Sequence, residues 1–239
     1  MSTNYSITRD MIVSSALRKL QVIELGITPD ASTLSNAAQA LNVVIKSWQT
    51  QGIKLWTVEN YVIPLTATKN AYVISPSGPD LVQDKPLKVI QAWMRNIGVT
   101  PNIDTPLLPI SRQEYNVLGS KNSSGMVNSY WYEPGTISGT VTVFLTPDTS
   151  TATNYQLYLV GQRPLNDILL STDIPDFPNE WMQALVWGLA DELAIEYGVN
   201  TNVRNEISMK ANKYRTELEG WDVENASTYF TPDMRMSRG

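Results

Sequence analysis

The strongest pattern of apolar positions lies between Ile174 and Val199, and it predicts a helix that other elements cover on most sides. In a helical projection its apolar residues fall on two sides. They are Met182, Val186, Leu189, Leu193 and Tyr197 on one side, and Trp181, Leu185, Gly188 and Ile195 on the other. Asn179 is predicted to cap this helix, and Gly198 with the residue after it fits a Schellman stop. The stretch is too short and too acidic to span a bilayer.

Three further long helices are predicted near the two ends of the chain. The first is capped by Ser6 or Thr8, the second covers about residues 33–51, and the last covers about 202–221. Each has an apolar stripe at a spacing of three and four residues. The stripes comprise Ile12, Val13, Ala16, Leu17 and Leu20, then Leu34, Ala37, Ala38, Leu41, Val44, Ile45 and Trp48, and finally Val203, Ile207, Ala211, Tyr214, Leu218 and Trp221. Because each stripe needs a partner, the four helices are expected to form one bundle.

Between these helices the apolar period becomes that of β-strands. Short runs of this kind occur from residue 53 to 65 and at 71–74, 87–95, 107–110, 130–133, 140–145 and 155–161. Clusters of Ser, Thr, Asn, Gly and Pro separate them, for example at 146–154, and residues 111–118 predict one short helix. The predicted fold class is therefore α+β: a helical bundle formed from both chain ends with an inserted antiparallel β domain that is sandwich-like or barrel-like.

The changes of pattern also predict domain boundaries. Residues 1–52 and 164–221 are assigned to the bundle, with the chain returning to helix from Pro164. Residues 53–163 are assigned to the inserted β domain. The C-terminal tail, residues 222–239, has no periodicity and is expected to bind a partner.

Composition narrows the possible functions. The chain has 239 residues, of which 42% are hydrophobic and 17% charged, and its net charge is −5. Such a balance gives no overall basic surface for DNA or for an anionic membrane. The sequence contains no Cys and no His, which removes thiolate metal sites and the usual general base. No transmembrane stretch or signal peptide is recognised. The expectation is a non-enzymatic protein without a metal or cofactor.

Three carboxylates on the apolar helix are the candidates for chemistry, namely Asp191, Glu192 and Glu196. A carboxylate pair is the machinery of glycoside hydrolases, so a glycan hydrolase used in cell entry is the alternative function. The structural interpretation is that these residues pair with Arg or Lys from neighbouring helices, and the absence of His favours it.

An aromatic run, Tyr130, Trp131 and Tyr132, precedes an EPG turn and follows a loop rich in Ser, Asn and Gly. It is predicted to be exposed or to face the tail of an assembly, with Trp131 the most exposed tryptophan of the chain. An aromatic tip of this kind suits a receptor-binding or carbohydrate-binding module, whereas packing within a hairpin is the other interpretation.

The C-terminal tail combines apolar, aromatic and basic residues. Its candidate partner-binding residues are Tyr229, Phe230, Met234, Arg235, Met236 and Arg238. Apolar residues without periodicity either fold back on their own bundle or insert into a partner. Because no acidic residue lies close to the two arginines in the sequence, a partner with an acidic surface is favoured.

Two stretches together resemble a known family. They are ALRKLQVIELGITPDASTLSNAAQALNVVIKSWQTQGIKLWT at residues 16–57 and IPDFPNEWMQALVWGLADELAIEYGV at 174–199. Their pattern resembles the head-to-tail adaptors of short-tailed bacteriophages, which are called tail accessory factor, packaged-DNA stabilisation protein or tail tubular protein A. The resemblance covers about the first 57 residues and roughly 174–221, and its motifs are packing patterns without catalytic residues.

This resemblance implies a structural protein of the virion neck. Adaptors of this kind form dodecameric rings beneath the portal, extend the DNA channel and give the tail nozzle a docking surface. Their C-terminal segment tends to reach the portal. The expected partners are therefore further copies of this chain, the portal protein and the tail nozzle protein, assembled in the host cytoplasm. DNA would pass through without sequence-specific binding, and no membrane would be involved.

Overall fold

The computed structural model describes residues 6–52 and 55–222. The helices within these residues are α1 (Arg9–Lys19), α2 (Ala31–Thr50), α3 (Arg112–Val117), α4 (Thr149–Asn154), α5 (Met182–Glu196) and α6 (Thr201–Trp221). The strands are β1 (Val58–Pro64), β2 (Ala71–Ser75), β3 (Leu81–Val82), β4 (Lys88–Asn96), β5 (Ile103–Pro106), β6 (Leu108–Pro109), β7 (Ser124–Gly125), β8 (Ser129–Pro134), β9 (Gly139–Phe144), β10 (Thr146–Pro147) and β11 (Tyr155–Gln162). The long helices lie towards both chain ends and the strands lie between them. This order confirms the α+β class with an inserted β domain.

Helix α5 is the centre of the bundle, as its apolar pattern predicts. It packs against α1, α2 and α6, and most of its side chains are buried. The predicted Schellman stop is confirmed: Gly198 has φ +60°, and the N–H groups of Gly198 and Val199 each donate over 3.2 Å to carbonyls in the last turn. The predicted cap at Asn179 is wrong. A short 3₁₀ helix (Asn179–Trp181) precedes α5, and neither helix has a side-chain cap.

Helix α2 begins at Ala31, two residues before its predicted start. The Asp30 carboxylate caps it by accepting hydrogen bonds from the N–H groups of Ser32 and Thr33, each over 2.9 Å. The Ser32 hydroxyl also donates to the Asp30 carboxylate. This hydrogen bond is the largest cause, followed by that of the Thr33 N–H, of a pKa of Asp30 below its ordinary value. At the other end of the bundle, Trp221 is 68% exposed, so the packed seam of α6 stops at Leu218.

Residues 163–178 form an extended segment where the sequence predicted a return to helix at Pro164. Side chains of α2 bind the backbone of this segment. The Asn42 amide donates to the Ile168 carbonyl and accepts from the Ile168 N–H, both over 3.0 Å. The Lys46 ammonium donates to the Leu165 carbonyl over 2.7 Å. These bonds replace helical hydrogen bonds, while Leu165 and Ile168 enter the core of the bundle.

The β domain consists mainly of two facing sheets. One has the strand order β1-β11-β4-β5 and is antiparallel throughout. The other has the order β3-β2-β9-β8-β6. Its two-residue edge strands run parallel to their neighbours, β3 to β2 and β6 to β8. A further parallel pair joins β7 and β10. The inward side chains of both large sheets form one hydrophobic cluster, so the longer strands make a sandwich.

Helix α4 and the short strands β3, β5, β7 and β10 were not predicted. Residues 146–154 have turn-like composition, yet Asp148 caps a six-residue helix there by accepting from the Thr151 N–H over 2.7 Å. A capping aspartate also favours turns, so composition alone does not separate the two outcomes.

The two connections between bundle and sandwich meet at one junction. The Arg163 guanidinium makes a two-point ion pair with the Asp176 carboxylate, and the Arg163 N–H donates to the Thr57 carbonyl over 2.8 Å. Both ionic side chains are largely shielded from solvent. The hydrogen bonds from Arg163 lower the pKa of Asp176. Beside this pair, the rings of Trp56 and Trp181 lie 5.1 Å apart.

Gly188→Ala is expected to destabilise the bundle because an alanine Cβ there would lie 2.6 Å from Cζ2 of the buried Trp48. Overpacking of this kind costs about 1–3 kcal/mol, more than the roughly 1 kcal/mol that alanine gains over glycine within a helix. Thermal unfolding followed by circular dichroism measures the change. Gly220→Ala is the control, since it also lies in a helix and has no atom within 4 Å of the added Cβ. A midpoint that rises equally in both variants would contradict the close contact.

Asp176→Asn is expected to lower the free energy of unfolding by about 1.5–3 kcal/mol near neutral pH, because it removes a charge-assisted pair. The folded-state pKa of Asp176 is depressed, so its stabilisation is present above the unfolded pKa of about 3.9. The stabilisation is lost as the pH falls through the lower folded pKa. Unfolding midpoints of wild type and variant should therefore converge in strong acid. The control Asp104→Asn removes a more exposed pair and should change the unfolding midpoint little. A difference in midpoint between wild type and Asp176→Asn that persists in acid would rule out the ion pair as its source.

Candidate assembly surfaces

The predicted partner-binding residues Tyr229, Phe230, Met234, Arg235, Met236 and Arg238 lie outside the described residues. Asp222 directly follows α6 as its C-cap residue. The Asp222 carboxylate accepts a hydrogen bond from the Leu55 N–H over 3.4 Å. The chain therefore enters its tail beside the junction of bundle and sandwich.

The aromatic run is on strand β8, as the β pattern at residues 130–133 predicts, but it is less exposed than the alternative of an exposed or tail-side loop would require. Tyr130 is 4% exposed and belongs to the core of the sandwich, while Trp131 and Tyr132 are half-buried. Helix α3 covers the other face of β8, and its Tyr115 ring lies 5.7 Å from the ring of Trp131. The predicted exposure is wrong for Tyr130, which is buried, and Trp131 is partly covered by a segment of the chain that is separate in sequence. Whether these residues face the tail of an assembly stays a prediction.

The three carboxylates of α5 do not form the ion pairs that the sequence suggested. Asp191 accepts a hydrogen bond from the Ser208 hydroxyl of α6. Within residues 6–52 and 55–222, no salt bridge joins Asp191, Glu192 or Glu196 to a cation. Asp191 and Glu192 border a cleft of about 210 Å³ between α2, α5 and α6, together with Arg215. Glu192 and Glu196 are exposed to solvent. They therefore lack the apolar pocket that raises the pKa of a catalytic carboxylic acid.

The outer face of the four-stranded sheet carries a row of apolar residues that sequence reasoning missed. The strand register places Val62, Tyr158, Trp93 and Pro106 side by side on β1, β11, β4 and β5. Their chain neighbours, such as Ile63, Leu157 and Met94, point into the core. The signal was present, since these strands carry apolar residues on both faces. Only the register shows that the outward ones align.

The row is held in one arrangement by stacked side chains. The Trp93 and Tyr158 rings lie 5.6 Å apart at 17°, and the Arg95 guanidinium lies 4.4 Å from the Tyr158 ring centre. The same guanidinium donates to both oxygens of Asp104 over 2.7 and 2.6 Å. These bonds lower the pKa of Asp104 and raise that of Arg95. The face therefore presents aromatic groups and a neutralised charge pair.

Large apolar side chains are also exposed elsewhere on the molecule. The most exposed examples are Leu25, Val82, Leu108, Val117, Ile137 and Leu169. They lie on the α1–α2 turn, on the extended segment and on several parts of the sandwich. Because these positions are scattered over several parts of the molecule, none of them by itself marks a binding surface.

The described residues contain no group of three or more acidic residues placed to hold a metal ion. Among the same residues, no helix is both long and apolar enough to cross a membrane.

Comparison with the curated proteins gave no match. Comparison with protein families gave a match to the model described as SU10 adaptor protein, over residues 10–232. This match spans the bundle, the sandwich and part of the tail, and it bears out the resemblance to phage head-to-tail adaptors. The chain therefore belongs to the SU10 adaptor protein family, and it is a structural adaptor of a bacteriophage virion that assembles with other head and tail proteins.

Proposed function

We propose that copies of this chain close into a ring that joins the portal to the tail nozzle and extends the DNA channel. The observation that carries the proposal is the family match over residues 10–232. A dodecamer is the expected assembly, by resemblance to the adaptors of short-tailed phages. The ring would form in the host cytoplasm and take its place in the neck of the virion.

The charge distribution supports a channel that lets DNA pass without holding it. The net charge is −5, and the guanidinium groups of Arg95 and Arg163 are paired with carboxylates. Unpaired basic groups in a channel would bind phosphates and retain the DNA. Arginines engaged with Asp or Glu have no such effect.

The low charge content supports large contacts between subunits. Only 17% of the residues are charged, and burying a charge in an interface is costly unless it is paired. Exposed apolar side chains on both the bundle and the sandwich provide surface that assembly would bury.

The proposal is tested by measuring the mass of the purified chain, alone and after mixing with portal protein. Light scattering coupled to size exclusion is expected to give a closed oligomer that co-elutes with the portal. A chain that stays monomeric and does not bind the portal would overturn the ring. Negative-stain images then count the subunits.

Deleting residues 226–239 is expected to abolish portal binding and to leave the fold intact. The side chains of the two hydrophobic clusters are all retained in this variant, so the thermal midpoint should hardly change. The lost residues include aromatic side chains, each of which contributes about 1.5–3 kcal/mol when buried by a partner. Co-sedimentation with portal rings measures the binding.

A charge-reversed pair, Arg235→Glu with Arg238→Glu, separates the contribution of charge from that of length. It should weaken portal binding if the partner surface is acidic. Arg204→Glu is the matched control, because Arg204 is an exposed arginine on α6.

Two outcomes of the deletion experiment would contradict the role of the tail. Portal binding by the deletion variant at the full-length level would mean that the tail is not the anchor. Unfolding of the deletion variant would place the tail in the core of its own subunit.

A further inference from the structure

We propose that a groove on the helical bundle holds residues 229–239 of the same chain until the portal is bound. The groove joins two clefts. The first, of about 210 Å³, lies between α2, α5 and α6, and the second, of about 360 Å³, lies between α2 and α5. Val43 and Glu192 line both clefts, so the two form one continuous surface along α5.

The groove begins close to the point where the tail leaves the fold. Arg215 lines the first cleft and donates from Nη1 to the Gln51 side chain over 3.2 Å, at the end of α2. Asp222, the C-cap residue of α6, contacts the nearby Leu55. The far end of the groove lies at Glu196, the last residue of α5. The tail therefore reaches the groove at its Arg215 end.

The tail is long enough to occupy the groove. The chain continues for 17 residues after Asp222, which span at most about 55 Å when extended. The 21 residues of α6 have a length of roughly 30 Å. A tail that turns back along the bundle can therefore reach the far end of the groove with its last residues.

The groove presents polar groups without partners around an apolar floor. At its near end the Arg215 Nε atom is buried, and it donates to no acceptor within the part of the chain that the structure describes. Further along are the exposed carboxylates of Glu192 and Glu196, with which no cation pairs among the same described residues. The floor between these groups includes the buried Val44 and Ala211. An occupant that fits has an acceptor at one end, apolar side chains in the middle and cations at the other end.

The last part of the tail carries these groups in the required direction. Asp233 comes first and offers the acceptor, and Arg238 lies closest to the chain end. Between them, Met234 and Met236 would point to the same side of an extended segment and suit the apolar floor. Arg235 supplies a second cation. The tail thus matches the groove in charge, in apolar content and in the order of its groups.

The spacing of the charges is also compatible. Glu192 and Glu196 are four residues apart on α5, which is about 6 Å along the helix axis. Arg235 and Arg238 would be about 10 Å apart in an extended segment. Long, jointed arginine side chains can bridge this difference, and each can form charge-assisted hydrogen bonds with a carboxylate.

The docked tail is a state of the free subunit. The contact rests on the proposed function only for its release, because anchoring on the portal would use the same residues. An acidic portal surface would then compete with the two glutamates of α5 for the same arginines. Docking that protects the groove fivefold corresponds to about 1 kcal/mol. Such a contact is compatible with a tail deletion that hardly changes the thermal midpoint.

Single cysteines test the contact in the isolated full-length chain, which contains none. Val43→Cys reports on the groove, because Val43 is 60% exposed and lines both clefts. Val117→Cys is the matched control, at a valine that is 79% exposed on α3 of the sandwich. Labelling by a thiol reagent in dilute solution is followed by mass spectrometry. Deleting residues 226–239 is expected to speed labelling of Val43→Cys at least fivefold and to leave that of Val117→Cys unchanged.

Charge variants show whether the carboxylates hold the tail. In the full-length Val43→Cys chain, Glu192→Gln with Glu196→Gln should speed labelling about as much as the deletion does. Glu24→Gln with Glu180→Gln is the control, since these two exposed acids do not line the groove. The first glutamine pair is also made in the deletion variant, which measures any direct effect of the lost carboxylates on the thiol.

Each outcome decides the proposal. Equal labelling of Val43→Cys with and without the tail overturns the contact, and so does protection that the first glutamine pair leaves intact. Protection that grows with protein concentration assigns the groove to the tail of another copy, and protection that needs portal or nozzle protein assigns it to that protein; both overturn the proposal. Because the portal is absent from the main measurement, failure here leaves portal anchoring and the ring to be judged by their own assays.

Discussion

The burial of α5 is the constraint on which the rest of the fold depends. Its side chains are covered from three directions by α1, α2 and α6, and its Gly188 leaves room for the ring of Trp48. Two of the covering helices precede the β domain in the chain and one follows α5. A bundle completed from both ends requires everything between to leave and return at one place. The inserted β domain is therefore a topological consequence of how one helix is buried.

The junction where the chain leaves the bundle and returns to it has its own set of interactions. Arg163 and Asp176 form a shielded ion pair there, and the Trp56 indole N–H donates to the Asp176 carbonyl over 3.3 Å. On the sandwich side, the Gln162 amide reaches the Gly52 carbonyl over 3.3 Å. These contacts engage backbone and side chains from both connections. The orientation of the sandwich on the bundle thus depends on a few polar contacts beside a cluster of aromatic rings.

Local patterns predicted the parts of the structure whose causes are local. Gly198 ended α5 as expected because left-handed backbone at a helix end favours glycine, and the stripe of α2 gave its buried face because helical period and burial coincide. The extended segment at 163–178 could not be read in this way, since Asn42 and Lys46 hold it from another part of the chain. The exposure of Trp131 was misjudged for the same reason, because its cover, Tyr115, comes from α3. The row through Tyr158 and Trp93 exists only once strand register brings separate strands together.

The same distinction explains why the sequence disfavours some kinds of catalytic or metal site but does not locate the surfaces used in assembly. The lack of His and Cys is a property of composition, whereas a subunit surface is made of residues that are distant in sequence and related only by the fold. On the sandwich, the outer faces carry ion pairs closed within one chain, Arg95 with Asp104 and Arg112 with Glu133. Charges neutralised before association need no partner charge across an interface, so a neighbour is selected by shape and apolar contact. For an adaptor that assembles with other head and tail proteins, the charges that remain unpaired within the chain are the ones that can select a partner by charge.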